Sequence, residues 1–261
     1  MEYMLKSYRA LLPASWIAYL WILPALFFSF QVSAAQAVLH FNVTGQPPLN
    51  TAAHNGFLDE VSREALARIG YQLVVDRLPA ERGLRNTNLG FSDGEMSRVE
   101  GVDRLYPNLI RVPEKIMDWE FVIFTKQRIN LYRGWHSLEN RDVGFITGWK
   151  IVEEHMPVTA IITKTSNADQ LFSLLQKDRV EMVIYESWGG RYLAQESGFD
   201  TIRIQKPALE KKEMYIYLHK NHESLVPKLA QALADMKRDG SYAEMVKTHL
   251  TNLINKDTSW Q

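Results

Sequence analysis

The chain contains no cysteine. That absence excludes disulfides, thiolate-held zinc or iron–sulfur centres, a cysteine nucleophile and a lipidated N-terminal cysteine. A surplus of either charge is also missing, since 30 Lys+Arg face 30 Asp+Glu. Nucleic-acid binders normally carry a basic excess, so that class is set aside. No Gly-x-Ser-x-Gly, Walker A or His-Glu-x-x-His pattern occurs, and there is no low-complexity tract. What is present is an ordinary globular composition, 46% hydrophobic and 23% charged over 261 residues. That length supplies one large domain or two small ones.

One segment departs from the average. Leu11 to Phe30 holds no charge, Lys6 and Arg9 precede it, and Gln31-Val32-Ser33-Ala34-Ala35-Gln36-Ala37 follows. A basic head, an apolar run and a small-x-small end form a secretory signal peptide, with cleavage expected before Val38. Twenty apolar residues are also long enough for a retained membrane anchor, although Pro13 and Pro24 interrupt the run. With residues 1–37 removed, the remainder is one negative charge from neutral. Export is the expected outcome.

Val38–Val43 reads as a strand ending at Gly45-Gln46-Pro47-Pro48. Phe57, Leu58, Val61, Ala65, Leu66 and Ile69 then recur at helical spacing, with Gly70 as the stop. Tyr71–Val75 is a second strand, and a short helix runs from Glu81 to Leu89. After the strand Trp119–Thr125 the pattern restarts: strand Asp142–Ile146, helix from Ile151, strand Ala160–Thr163, helix capped at Asn167, strand Val180–Tyr185. A repeated strand–helix–strand plan implies parallel sheets. No flexible linker separates the halves, so two lobes joined by extended hinge strands are expected. Met214–Leu218 is a late strand, and two helices close the chain.

Four stretches carry a resemblance to type II periplasmic solute-binding proteins of family 3, the group that includes amino-acid receptors of ABC importers. They are Gly56–Val61 with Arg68–Tyr71, Leu89–Glu95, Leu174–Ile184, and Leu229–Leu250. The resemblance implies an α/β fold of two lobes, each a mainly parallel sheet flanked by helices, joined by two hinge strands. The expected boundaries are 38–125 plus 214–261 for the first lobe and 126–213 for the second. It also implies a small polar solute, such as an amino acid or related carboxylate, caught between the lobes. A permease or membrane sensor would read the closed form of a monomer. Two departures stand out: Gln46-Pro47-Pro48-Leu49 lacks the aromatics of the usual Tyr-Pro-Pro-Phe-like turn, and Met96-Ser97-Arg98 replaces Thr-Pro-x-Arg.

A solute entering a cleft needs a partner for each of its charges. Arg98, placed just past a strand end, suits a carboxylate because its planar fork donates two parallel bonds. The alternative is an ion pair with Glu95 or Glu100. Arg82 is a second candidate beside Glu81, with a structural pair as its alternative. Glu186 follows the strand Val183-Ile184-Tyr185, where the family's amino-acid receptors hold the ligand ammonium on an Asp; its alternative is a solvent-facing carboxylate. Thr147-Gly148-Trp149 precedes a helix, so its N–H groups suit an anion, and Trp149 offers a ring to the ligand or simply packs between elements. His219 and His222 read as an exposed turn rather than a metal site. Neither metal nor cofactor is expected.

An enzyme on the same scaffold, dehydratase-like with Glu186 or Glu81 as acid or base, is the alternative to binding, since fold does not fix function. No constellation supports it, and a non-enzymatic role is expected. A tethered sensor module is the third reading.

Overall fold

The structure, a computed structural model, describes residues 36–196 and 201–254. Almost all of the expected leader, residues 1–37, therefore lies outside the described residues. β1 (Ala37–Val43) lies between two parallel neighbours, β2 (Tyr71–Arg77) and β3 (Gly94–Val99). Between β1 and β2 runs α1 (Phe57–Arg68), whose Phe57, Leu58, Val61, Ala65 and Leu66 are buried as the periodicity predicts. Asp59 holds the entry to α1, accepting hydrogen bonds from Asn50 Nδ2 (2.6 Å), Thr51 N (2.9 Å) and Gly56 N (3.0 Å). α2 (Ala80–Leu89) links β2 to β3 and ends at Gly90, φ 79°.

β4 (Leu109–Arg111) and β5 (Met117–Thr125) lead into the second half of the sheet. There β6 (Asp142–Ile146), α3 (Lys150–His155), β7 (Ile161–Thr165), α4 (Ala168–Gln176), β8 (Met182–Glu186) and α5 (Ser187–Glu196) follow in turn. As expected, Asn167 caps α4, its side chain accepting from Gln170 N at 2.9 Å. β9 (Arg203–His219) returns to the first half, and α6 (Val226–Asp239) and α7 (Ser241–Ile254) pack on α1. The strand order is β2-β1-β3-β9-β5-β8-β6-β7, with β4 beside β9.

Two strands serve both halves. Met117–Phe121 of β5 pairs antiparallel with Glu210–Met214 of β9, and Ile123–Thr125 pairs with Arg203–Gln205 across a register shift. The later part of β9 turns to β3 and β4, and the later part of β5 to β8. The sequence pattern predicts a late strand at Met214–Leu218. The structure makes that the end of a 17-residue strand, so the crossing begins earlier in the chain. Charged or exposed residues disguise the first half, where Lys206, Pro207, Lys211 and Glu213 face solvent.

Helix α5 also escaped the sequence reading, since Trp188-Gly189-Gly190 has the composition of a turn. Its glycines answer to packing. A Cβ on Gly190 would lie 2.1 Å from the Phe124 ring, and one on Gly189 would lie 2.3 Å from Glu186 Oε1.

Candidate functional site

The ends of β1, β2 and β3 in the first half face the loops that follow β6 and β7 in the second. The loop 147–149 presses on the start of α2 so closely that a Cβ on Gly148 would lie 2.6 Å from Glu81 N and 3.0 Å from its Cα. Gly148 has φ +88°, a conformation that other residues adopt only with strain. The tight contact and the turn therefore both require glycine.

Beside that contact Trp149 fills the cleft. Its ring stacks on Tyr185 (4.7 Å, 24°), meets Phe121 edge-on (5.7 Å, 84°) and tilts against Trp119 (5.8 Å). Each such pair contributes roughly 0.5–1.5 kcal/mol beyond simple burial. Cavities lie on both sides of Trp149. One of about 20 Å³, room for about one water, is lined by Ser97, Arg98, Trp119 and Lys150 among others. The other, of about 160 Å³, is lined by Thr44, Gln46, Arg77, Ile146, Asn167 and Tyr185 among others.

Arg98 lies inside β3, not beyond its end, and is buried. Its Nε and Nη2 donate to Glu95 Oε2 at 2.8 and 2.6 Å, and Nη2 also reaches Ala80 O at 3.3 Å. Glu95 is fully buried and takes further bonds from Asn42 Nδ2 (2.9 Å) and Thr87 Oγ1 (2.7 Å) on its other oxygen. Of the two partners weighed for Arg98, Glu95 is the one it takes. Nη1 keeps no protein partner among the described residues, and neither does the buried Ser97 Oγ on the same cavity wall. Ser97 sits within the Met96-Ser97-Arg98 departure but carries no site signal of its own in the sequence.

Glu81 reaches across the cleft. Lys150 Nζ donates to Glu81 Oε2 (2.7 Å) and to Glu153 Oε2 (3.1 Å), while Tyr106 OH and Arg85 Nε bond Glu81 Oε1 at 2.9 and 3.2 Å. Burial alone would raise the Glu81 pKa, but the bonds from Lys150 and Tyr106 prevail and hold it below the usual carboxylate range. For Lys150 burial pulls downward, yet Glu81 and Glu153 push the ammonium up to about 12. Nothing in one dimension places Lys150 opposite Glu81, which lies 69 positions earlier.

Three expectations are corrected. The N–H groups of Thr147, Gly148 and Trp149 are already engaged, by Thr165 O (2.9 Å), Glu153 Oε1 (3.1 Å) and Ile146 O (3.2 Å), so they form no anion site. Glu186 is fully buried and faces neither cavity nor solvent. Its carboxylate accepts Trp188 N (2.8 Å) and Gly189 N (2.6 Å), closing the N-terminus of α5. Burial, only partly offset by those two bonds, raises its pKa to about 7. Arg82 is exposed and has no partner among the described residues. His222 bonds Asp93 at 2.6 Å and the buried His219 accepts from Asn221 N at 3.3 Å, so the expected exposed turn is in part a packed corner. Among the described residues, no cluster of three metal-ligating side chains occurs. No described helix is long and apolar enough to cross a membrane.

The strand order, the two shared strands and the cleft between the halves define the two-lobe α/β fold of type II periplasmic binding proteins. Solved structures of amino-acid-binding proteins share it. A mutant of ArgBP from T. maritima superposes with TM-score 0.70 at 15% identity, covering 82% of this chain and 96% of that one. The GluR0 ligand-binding core in complex with L-glutamate gives 0.71 at 16% identity, over 83% and 99% of the two chains. AbpA, an amino acid ABC transporter substrate-binding protein from Streptococcus pneumoniae bound to L-arginine, gives 0.69 at 14%, over 84% and 96%. These neighbours are binding proteins rather than enzymes. In sequence, the chain is 27% identical over 239 residues to an uncharacterized protein of Shewanella oneidensis, covering 85% of this chain and 90% of that one. No family model matches the chain.

Proposed function

We propose that the chain is an exported solute-binding protein of the family 3 kind. Its lobes, 38–125 with 214–261 and 126–213, close on a small polar solute by bending at β5 and β9. Residues 1–37 direct it to the periplasm, where a permease or a membrane sensor reads the closed monomer. The observation that carries this reading is the pair of unpartnered polar groups, Arg98 Nη1 and Ser97 Oγ, at a cleft spanned by the Glu81–Lys150 bridge. Glu95 neutralises one edge of the guanidinium and fixes its plane, leaving the other edge for a ligand oxygen.

Mass spectrometry of solute released from the purified protein, followed by calorimetric titration, tests this. Arg98→Lys keeps a cation beside Glu95 but removes the planar fork. Affinity falls at least tenfold while the melting temperature stays within a few degrees. Unchanged affinity in Arg98→Lys removes Arg98 from the site. A folded protein that binds no small solute removes the reading.

A further inference from the structure

The charges that line the cleft narrow the class of solute, and the inference rests on the binding reading above. Three cationic side chains line the cavities around Trp149: Arg98 and Lys150 on one side, Arg77 on the other. A third, smaller cavity behind Ser97 adds only Arg98 again. No carboxylate lines any of the three. Of the nearby carboxylates, Glu95 is committed to Arg98, Asn42 and Thr87, Glu81 to Lys150, Tyr106 and Arg85, and Glu186 to the backbone of α5, while Asp169, next to Ala168, is exposed and does not line the cavity. An outer groove of about 450 Å³ that does carry Glu100, Glu153 and Glu154 adjoins the Arg98 cavity, sharing Val99, Val102, Lys150 and Ile151 with it, and shares no residue with the 160 Å³ cavity.

The 160 Å³ cavity has one formal charge, on Arg77. Arg77 is exposed, and Nη1 donates to Gly45 O at 2.5 Å, which anchors one arm of the fork. Its other walls are in part apolar or aromatic, with Ile146, Trp149 and Tyr185, and in part neutral polar, with Gln46, Ser166 and Asn167. An ammonium group brought in here would lose its water and meet Arg77 instead of a carboxylate. A carboxylate would meet Arg77, and an apolar body would meet the walls.

We infer that this cleft takes an organic anion with an apolar or aromatic body and no α-ammonium group, bound through Arg77 and packed against Trp149 and Tyr185. The amino-acid receptors share the scaffold, but the ammonium partner expected at Glu186 is turned into the protein.

Matched pairs that differ only in the ammonium group provide the test. The purified protein is titrated with 3-phenylpropionate and L-phenylalanine, and with glutarate and L-glutamate. The ammonium-free member of at least one pair binds ten times more tightly than its amino acid, and Arg77→Gln weakens that binding at least tenfold with an unchanged melting temperature. If neither pair shows that tenfold preference although solute binds, the inference is overturned while the binding-protein reading stands. If none of the four binds to protein that circular dichroism shows folded, the inference is also overturned. The wider reading then falls only if no solute co-purifies. Full affinity in Arg77→Gln overturns the placement at Arg77.

Discussion

In the proposed closure, the Glu81–Lys150 bridge joins the two lobes. Its oxygen and nitrogen lie 2.7 Å apart, and the side chains are 26% and 21% exposed. Fully exposed pairs contribute 0.2–1 kcal/mol and charge-assisted buried bonds about 1.5–3 kcal/mol. A partly covered pair falls between, at about 1–2 kcal/mol, or a factor of roughly 5–30 in the closed-to-open ratio. Opening also frees Lys150 to keep Glu153, which is 3.1 Å away in the same lobe, so only the Glu81 half of the bridge is lost. Glu81→Gln and Lys150→Met, singly and together, isolate the coupling in a double-mutant cycle. Because the chain has no cysteine, Leu89→Cys and Val158→Cys place spin labels only at those two exposed positions, one on each lobe. Electron–electron resonance then counts the two populations through their distance distributions. Each single variant lowers the closed-to-open ratio about 5–30-fold, and added salt does the same to the parent but not to the double variant. A coupling below about 0.3 kcal/mol, with salt-independent distances in the parent, would refute the latch.

Three further outcomes follow from the same geometry. Gly148→Ala drives a Cβ into the Glu81 backbone, so the protein folds but stays open, seen as a larger radius of gyration in X-ray scattering and at least a tenfold loss of affinity; an unchanged radius would show that the lobes yield elsewhere. Arg98→Ala leaves the Glu95 carboxylate buried without its cation at a cost of about 3–5 kcal/mol, a drop of roughly 10 °C in melting temperature. Adding Glu95→Gln recovers most of that drop, and no recovery would mean that Arg98 acts through packing alone. Glu186, with its folded pKa raised to about 7 from 4.5, stabilises the fold fully below pH 4.5 and loses that contribution as pH climbs through 7. The loss amounts to about 3 kcal/mol. Urea unfolding across this range shows a falling curve for the parent and a flatter one for Glu186→Gln; parallel curves would contradict the assignment.

Arg98 and Glu81 were visible as candidates in the sequence, since each is a charged residue at a strand or helix terminus near the cleft. Their partners were less visible. Glu95 lies three residues from Arg98, and in an extended strand that spacing says little about whether two side chains meet. Lys150 is 69 positions from Glu81, and only the docking of the loop after β6 onto α2 brings them together. Glu186 was placed at its strand end correctly, but its direction depends on α5, which Gly189 and Gly190 concealed. Ser97 and Arg77 carried no local signal, because a lone Ser or Arg next to a strand end is ordinary.

Local pattern alone determined the alternation of strands and helices, the capping of α4 by Asn167 and the helical stop at Gly70. Each depends on residues within a few positions of one another, and on hydrophobic periods that a single element reveals. Tertiary structure decided which charges face the cleft and which are consumed by the fold. That choice turns on burial: a carboxylate such as Glu186 that loses its water must take the nearest donors, and those donors come from backbone brought to it only when β8 and α5 pack. The absence of cysteine belongs to the sequence and needs no structure. That no carboxylate lines the 160 Å³ cavity belongs to the fold, because the strand and loop ends that meet there bring Arg77 and two aromatic rings to its wall while Glu95, Glu81 and Glu186 bond elsewhere.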